Sequence, residues 1–195
     1  LAAMNAATSR LKVSTVMSHL LVCNGGARFT FSHDFGNLLV SQLEATLDQK
    51  EIHVRDVRTG RDFEDHLQWC KFTGIAWKHD NSGFFYNRFP EPGTVPEEDS
   101  THYNKLYWHE LGTKQSDDPV VYERPRDKKL GFHPTITHDG RYLVLHVYES
   151  TDPQNRIYYR EVESDGPFVR LLDDGDAMYE LIHNEGTKFY FQTDL

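Results

Sequence analysis

A short pattern recurs four times along the chain, and it constrains the fold more than any other feature. The copies are Phe29-Thr30-Phe31-Ser32-His33-Asp34, Ile75-Ala76-Trp77-Lys78-His79-Asp80, Thr135-Ile136-Thr137-His138-Asp139 and Glu180-Leu181-Ile182-His183-Asn184. Each is a strand-like run ending in His-Asp or His-Asn. A glycine follows within three residues (Gly36, Gly83, Gly140, Gly186), and then a second apolar run. Asx residues tolerate φ > 0 and bond their own backbone, so with glycine they reverse the chain. Aromatic and branched residues on both sides complete a hairpin.

A third run follows three of these hairpins: Glu51–Val57, Lys105–Leu111 and Arg156–Val162. Apolar and polar residues alternate in it, the signature of a half-buried strand. Weaker fourth strands are expected around Trp69–Phe72, Val120–Tyr122 and Val169–Leu172. The repeating unit is therefore four antiparallel strands. Asp34 and Asp80 are 46 residues apart, Asp80 and Asp139 are 59 apart, and Asp139 and Glu185 (one past Asn184) are again 46 apart. That spacing is characteristic of β-propeller blades.

The long middle period has a local cause. Phe89–Asp99 is rich in proline and acid and reads as an exposed loop; it holds three of the eight prolines. The other prolines are expected outside strand interiors. The fold class is thus all-β, a partial propeller of about three and a half four-stranded blades. Blade bounds are expected near 27–71, 72–130 and 131–176, with the first hairpin of a further blade at 177–195. Residues 1–26 fit no copy and are left unassigned, disordered or weakly helical. Leu1-Ala2-Ala3-Met4 is neither a translational start nor a secretion signal. We expect the chain to be a piece of something longer.

Composition narrows function mainly by exclusion. The formal charge is −9 and no long Lys/Arg run occurs, so neither nucleic acid nor an anionic membrane surface is an expected partner. The longest apolar stretch, Leu20–Cys23, is too short to span a bilayer. The two cysteines, Cys23 and Cys70, form no framework or Cys-x-x-Cys motif and read as free thiols of a reducing compartment. A cytoplasmic location is expected.

Catalytic motifs are equally scarce. The sequence has no Gly-x-Ser-x-Gly elbow, Walker loop or Gly-x-Gly-x-x-Gly. Eleven histidines raise the question of a metal. His33, His79, His138 and His183 share one repeat position, however, so they lie a blade apart. Tight zinc spacing such as His-Glu-x-x-His is absent. No metal and no cofactor are expected; those histidines read as strand-end residues orienting the turns. The carboxylates of Glu97-Glu98-Asp99 and Asp173-Asp174 read as solvated charge.

Several stretches together resemble the propeller of the prolyl oligopeptidase family. They are Lys71–Asp80 with Gly83–Pro90, Lys105–Asp118, Asp139–Leu145, Asp152–Tyr159 and Asn184–Phe189. The likeness runs in order through about 65–195, is looser over 27–64, and does not reach 1–26. It implies a cytosolic serine endopeptidase that cuts short peptides after proline. In that family an α/β-hydrolase domain, mostly C-terminal to a seven-bladed propeller, carries the Ser-Asp-His triad. The propeller caps the hydrolase domain and restricts access to small peptides.

On that resemblance this chain is the non-catalytic part that gates and lines the cavity, inactive alone, with the hydrolase domain as its partner. Phe72 matches an aromatic that lines the substrate pocket. Thr151 stands where the family often has cysteine before Asp-Pro, and Tyr148 where it has arginine. Gly131 or a neighbour stands where methionine is common. The residue pattern alone fits Phe72 equally well as blade core. The alternative function is a stand-alone propeller-type interaction scaffold without enzymatic activity.

Overall fold

The computed structural model describes residues 21–22, 28–31, 39–46, 49–56 and 59–195, with side chains for 51–56 and 59–195. The first sheet contains β1 (Leu21–Val22), β2 (Arg28–Phe31), β3 (Leu39–Thr46), β4 (Gln49–Asp56) and β5 (Asp62–Leu67) in that order. The second contains β6 (Ile75–Trp77), β7 (Gly83–Arg88), β8 (Lys105–Glu110) and β9 (Val120–Glu123). The third contains β10 (Leu130–Ile136), β11 (Tyr142–Glu149), β12 (Asn155–Glu161) and β13 (Val169–Leu172). β14 (Tyr179–Glu185) and β15 (Lys188–Thr193) form a final hairpin. Every pairing is antiparallel between consecutive strands, which is the meander of a propeller blade.

The blades stack face to face, and three apolar clusters sit between them. Ile52, Val54, Leu67 and Cys70 of the first meet Trp77, Phe84, Tyr86 and Tyr107 of the second. Phe85 and Leu106 of the second meet Phe132, Leu143, Leu145 and Val147 of the third. Tyr142, Val144 and Ile157 of the third meet Ala177 and Tyr179 beside the last hairpin. This explains why β7 and β11 are continuous apolar runs. Successive side chains point to opposite faces, and both faces are covered: Phe84 and Tyr86 turn to the first blade, Phe85 to the third. Full burial of each such side chain contributes roughly 1.5–3 kcal/mol.

Three local expectations are corrected. The fourth strand of the first blade is Asp62–Leu67, not Trp69–Phe72. Its charged residues hid it, because only Asp65 and Leu67 of its six residues turn into the core. Trp69 and Phe72 instead have φ of 61° and 57°, conformations no strand accommodates. Second, Pro134 lies inside β10, opposite Leu145. β10 is the edge of its sheet, so the missing N–H falls on the unpaired side. Third, Asp99 is not solvated. It is 8% exposed, and its carboxylate accepts bonds from Lys128 (2.6 Å) and His102 (2.8 Å).

The turn chemistry rests on the aspartates. Asp80 Oδ1 accepts the backbone N–H (2.9 Å) and hydroxyl (2.6 Å) of Ser82. Asp139 Oδ1 accepts the Thr137 hydroxyl (2.7 Å) and the Arg141 N–H (3.1 Å). Gly140 takes the left-handed position in the third blade, but Asn81 takes it in the second. Gly83 serves close packing instead, since a Cβ there would lie 2.0 Å from the His109 carbonyl oxygen. The His33-Asp34 turn and Cys23 lie outside the described residues.

Candidate functional site

In antiparallel blades the first strand starts, and the second ends, at one end of the sheets. The turns at His79-Asp80 and His138-Asp139 occupy the other end. At the first end lies a cavity of about 670 Å³, and Phe72, Tyr148 and Thr151 all line it. Phe72 reaches it from the segment between β5 and β6. Its left-handed backbone turns the ring outward, and 59% of the residue is exposed. Blade core is therefore not its role. The Lys71 ammonium lies 5.4 Å from the ring centroid, within cation–π range.

Tyr148 is the next-to-last residue of β11, directly opposite Gly131 of β10. The two are built for each other: a Cβ on Gly131 would stand 2.2 Å from Tyr148 Cζ. The missing side chain lets the phenol lie flat across the neighbouring strand and wall the cavity. Burial raises the Tyr148 pKa, so the hydroxyl stays neutral and can donate or accept a hydrogen bond. Thr151 follows Ser150, whose φ is 54°, in a turn closed by Asp152 N–H to the Glu149 carbonyl at 3.1 Å. Gly74 works like Gly131, leaving room for the His133 ring, which a Cβ would meet at 2.5 Å.

The rim adds charge. His102 is positioned by Asp99, whose carboxyl is held below the usual range first by Lys128 and then by His102. Lys129 and Glu149 face each other at 4.0 Å. An aromatic wall with a few polar groups at its margin suits binding of an extended, partly apolar ligand.

A second constellation is buried between the first two blades and was not foreseen. His109 is 0% exposed. Its Nδ1 lies 2.9 Å from Asp118 Oδ1 and its Nε2 lies 3.0 Å from Asp65 Oδ1. Both partners are acceptors, so both ring nitrogens must donate and the ring is an imidazolium. Burial pulls the His109 pKa down, but the bonds to Asp118 and Asp65 outweigh it and lift it to about 9. Gly112 N–H donates to the same Asp65 oxygen (2.7 Å), and the Tyr86 hydroxyl donates to Asp118 Oδ2 (2.8 Å). With neither nitrogen available to take a proton, His109 is not a general base. It fastens one blade to the next.

The stacked meanders define a β-propeller segment with a cavity at one end. Residues 27–195 match the family described as the prolyl oligopeptidase N-terminal β-propeller domain, and the chain belongs to that family. It is 30% identical over 172 residues to prolyl oligopeptidase A of Galerina marginata, covering 83% of this chain and 23% of that protein. It is 31% identical over 149 residues to a prolyl endopeptidase of Dictyostelium discoideum, covering 69% and 20%. Among solved structures, prolyl oligopeptidase B of Galerina marginata bound to a 35mer hydrolysis and macrocyclization substrate aligns with TM-score 0.76 and 25% identity. That alignment covers 90% of this chain and 27% of the other. The chain thus spans about a quarter of the length of the curated relatives it matches.

Proposed function

We propose that the chain is the cavity-lining propeller part of a cytoplasmic serine endopeptidase that cleaves short peptides after proline. In this reading an α/β-hydrolase domain supplies the triad and docks over the end of the blades that carries the cavity. Phe72, Tyr148 and Thr151 form the propeller side of the substrate cavity and admit only short, extended chains. One observation carries the reading. Residues from two segments about 75 positions apart, each picked out by its place in the family pattern, line a single cavity. The flat face of Phe72 offers a stacking surface for a peptide side chain, and the Tyr148 hydroxyl offers a hydrogen bond.

The test is a chimera in which residues 27–195 replace the corresponding blades of the Galerina prolyl oligopeptidase A. It should hydrolyse a fluorogenic proline peptide. Phe72→Ala should raise KM several-fold with little change in kcat, because it removes binding remote from the scissile bond. Unchanged KM in Phe72→Ala and in Tyr148→Ala would defeat the assignment. The isolated chain should leave the same peptide intact; turnover sensitive to a serine-directed inhibitor would contradict that.

A further inference from the structure

Zinc-like sites can arise from strand register as well as from local spacing, and the first blade offers such a case. β4 and β5 pair so that His53 stands directly opposite His66. The imidazoles are stacked, with centroids 4.6 Å apart and 19° between their planes. Glu51 precedes His53 by two residues and so shares its face; Ile52 and Val54 point the other way, into the core. Glu51 Oε2 lies 2.9 Å from His66 Nε2 and 3.4 Å from His53 Nε2. One ligand atom from each of the three residues falls within 4.8 Å of the others.

We propose that Glu51, His53 and His66 bind one zinc-class divalent cation. Tetrahedral zinc holds nitrogen and oxygen ligands at about 2.0–2.2 Å, which sets them roughly 3.4 Å apart. Two edges of the ligand triangle are already within half an ångström of that spacing, and a small tilt of the stacked rings closes the third. The donor set, two imidazoles and a carboxylate, leaves a fourth position for water and favours zinc, nickel or copper over calcium or magnesium. The side chains are 29–43% exposed, so an ion reaches them without unfolding. In the repeat, the position of His53 is held by Tyr107 and Tyr158 in the next two blades, and both are buried. The imidazole pair is therefore a departure of the first blade from its own repeat.

The experiment is calorimetric titration of the tag-free full chain with zinc chloride, with the visible spectrum of added Co2+ reporting geometry. Binding should saturate at one ion per chain with a tetrahedral Co2+ spectrum. His53→Asn, His66→Asn and Glu51→Gln should each weaken it by about tenfold or more, since losing even an outer-sphere partner costs roughly 10–100-fold. His183→Asn, in the last hairpin, should leave it unchanged. These side chains are partly exposed, and far-ultraviolet circular dichroism should show each variant folded like the parent. Absence of saturable binding, or binding indifferent to both His53→Asn and His66→Asn, overturns the proposal.

Discussion

At the scale of single residues, His109 carries the clearest electrostatic consequence. Its pKa is about 9 in the folded chain against 6.5 for the free side chain. A raised folded pKa contributes stability that is complete below the unfolded value and is lost as pH rises through the folded one. Stability measured by urea unfolding should therefore fall between pH 6.5 and about pH 9, by on the order of 3 kcal/mol. His109→Gln should be destabilised throughout, because two buried carboxylates lose their cation, and should lack this slope. A pH-independent midpoint in the parent chain would refute the imidazolium. Gly131 is the second such residue. Gly131→Ala forces a methyl into the Tyr148 ring and should cost about 1–3 kcal/mol by overpacking. A changed near-ultraviolet circular dichroism signal would show that the tyrosine has moved. Neither role is legible in the sequence. His109 sits in an ordinary alternating run, and Gly131 stood out only through the family comparison.

Between elements, asparagine side chains join successive blades. Asn155, at the start of β12, donates to the Tyr179 carbonyl (2.9 Å) and accepts the Tyr179 N–H (2.7 Å). Asn104, just before β8, accepts the Phe132 N–H at 3.1 Å. Asn104 directly precedes the third strand of its blade and Asn155 opens it, and each reaches the first strand of the next blade. Such an amide supplies backbone hydrogen bonding where two sheets face each other without a ladder. Asn155→Leu should cost about 1–3 kcal/mol, because Tyr179 keeps its buried N–H and loses the partner. Hydrogen exchange at the Tyr179 amide should rise before exchange in β11 or β12. Equal protection in parent and variant would show that the bond does not hold the hairpin. The aspartates work similarly at the turns, where Asn184 donates to Asp139 Oδ2 across the blade gap at 2.7 Å.

At the scale of the chain, the decisive feature is the last hairpin of the stack. Among the described residues β15 pairs only with β14, and Ile182 and Tyr190 are 60% and 45% exposed. Unpaired strand edges with apolar side chains recruit other chains. Sedimentation velocity should show concentration-dependent association of the isolated chain, and the pair Ile182→Lys with Tyr190→Lys should reduce it. A parent chain that stays monomeric across the concentration range would refute this. The acidic balance of the chain, −9, opposes but does not prevent such contact, because salt screens exposed charges beyond about a Debye length.

What the amino-acid order determines is the unit: hairpins with Asx turns, strands of the correct period, and a loop where proline and acid accumulate. These are legible because turn chemistry and side-chain alternation act over a few residues. The polar fourth strand of the first blade, the buried His109 between two aspartates, the Gly131–Tyr148 fit and the Glu51–His53–His66 cluster depend on tertiary structure. Each arises where strands or blades distant in the chain are brought into register, and pairing energies of that kind leave no local trace in composition or spacing.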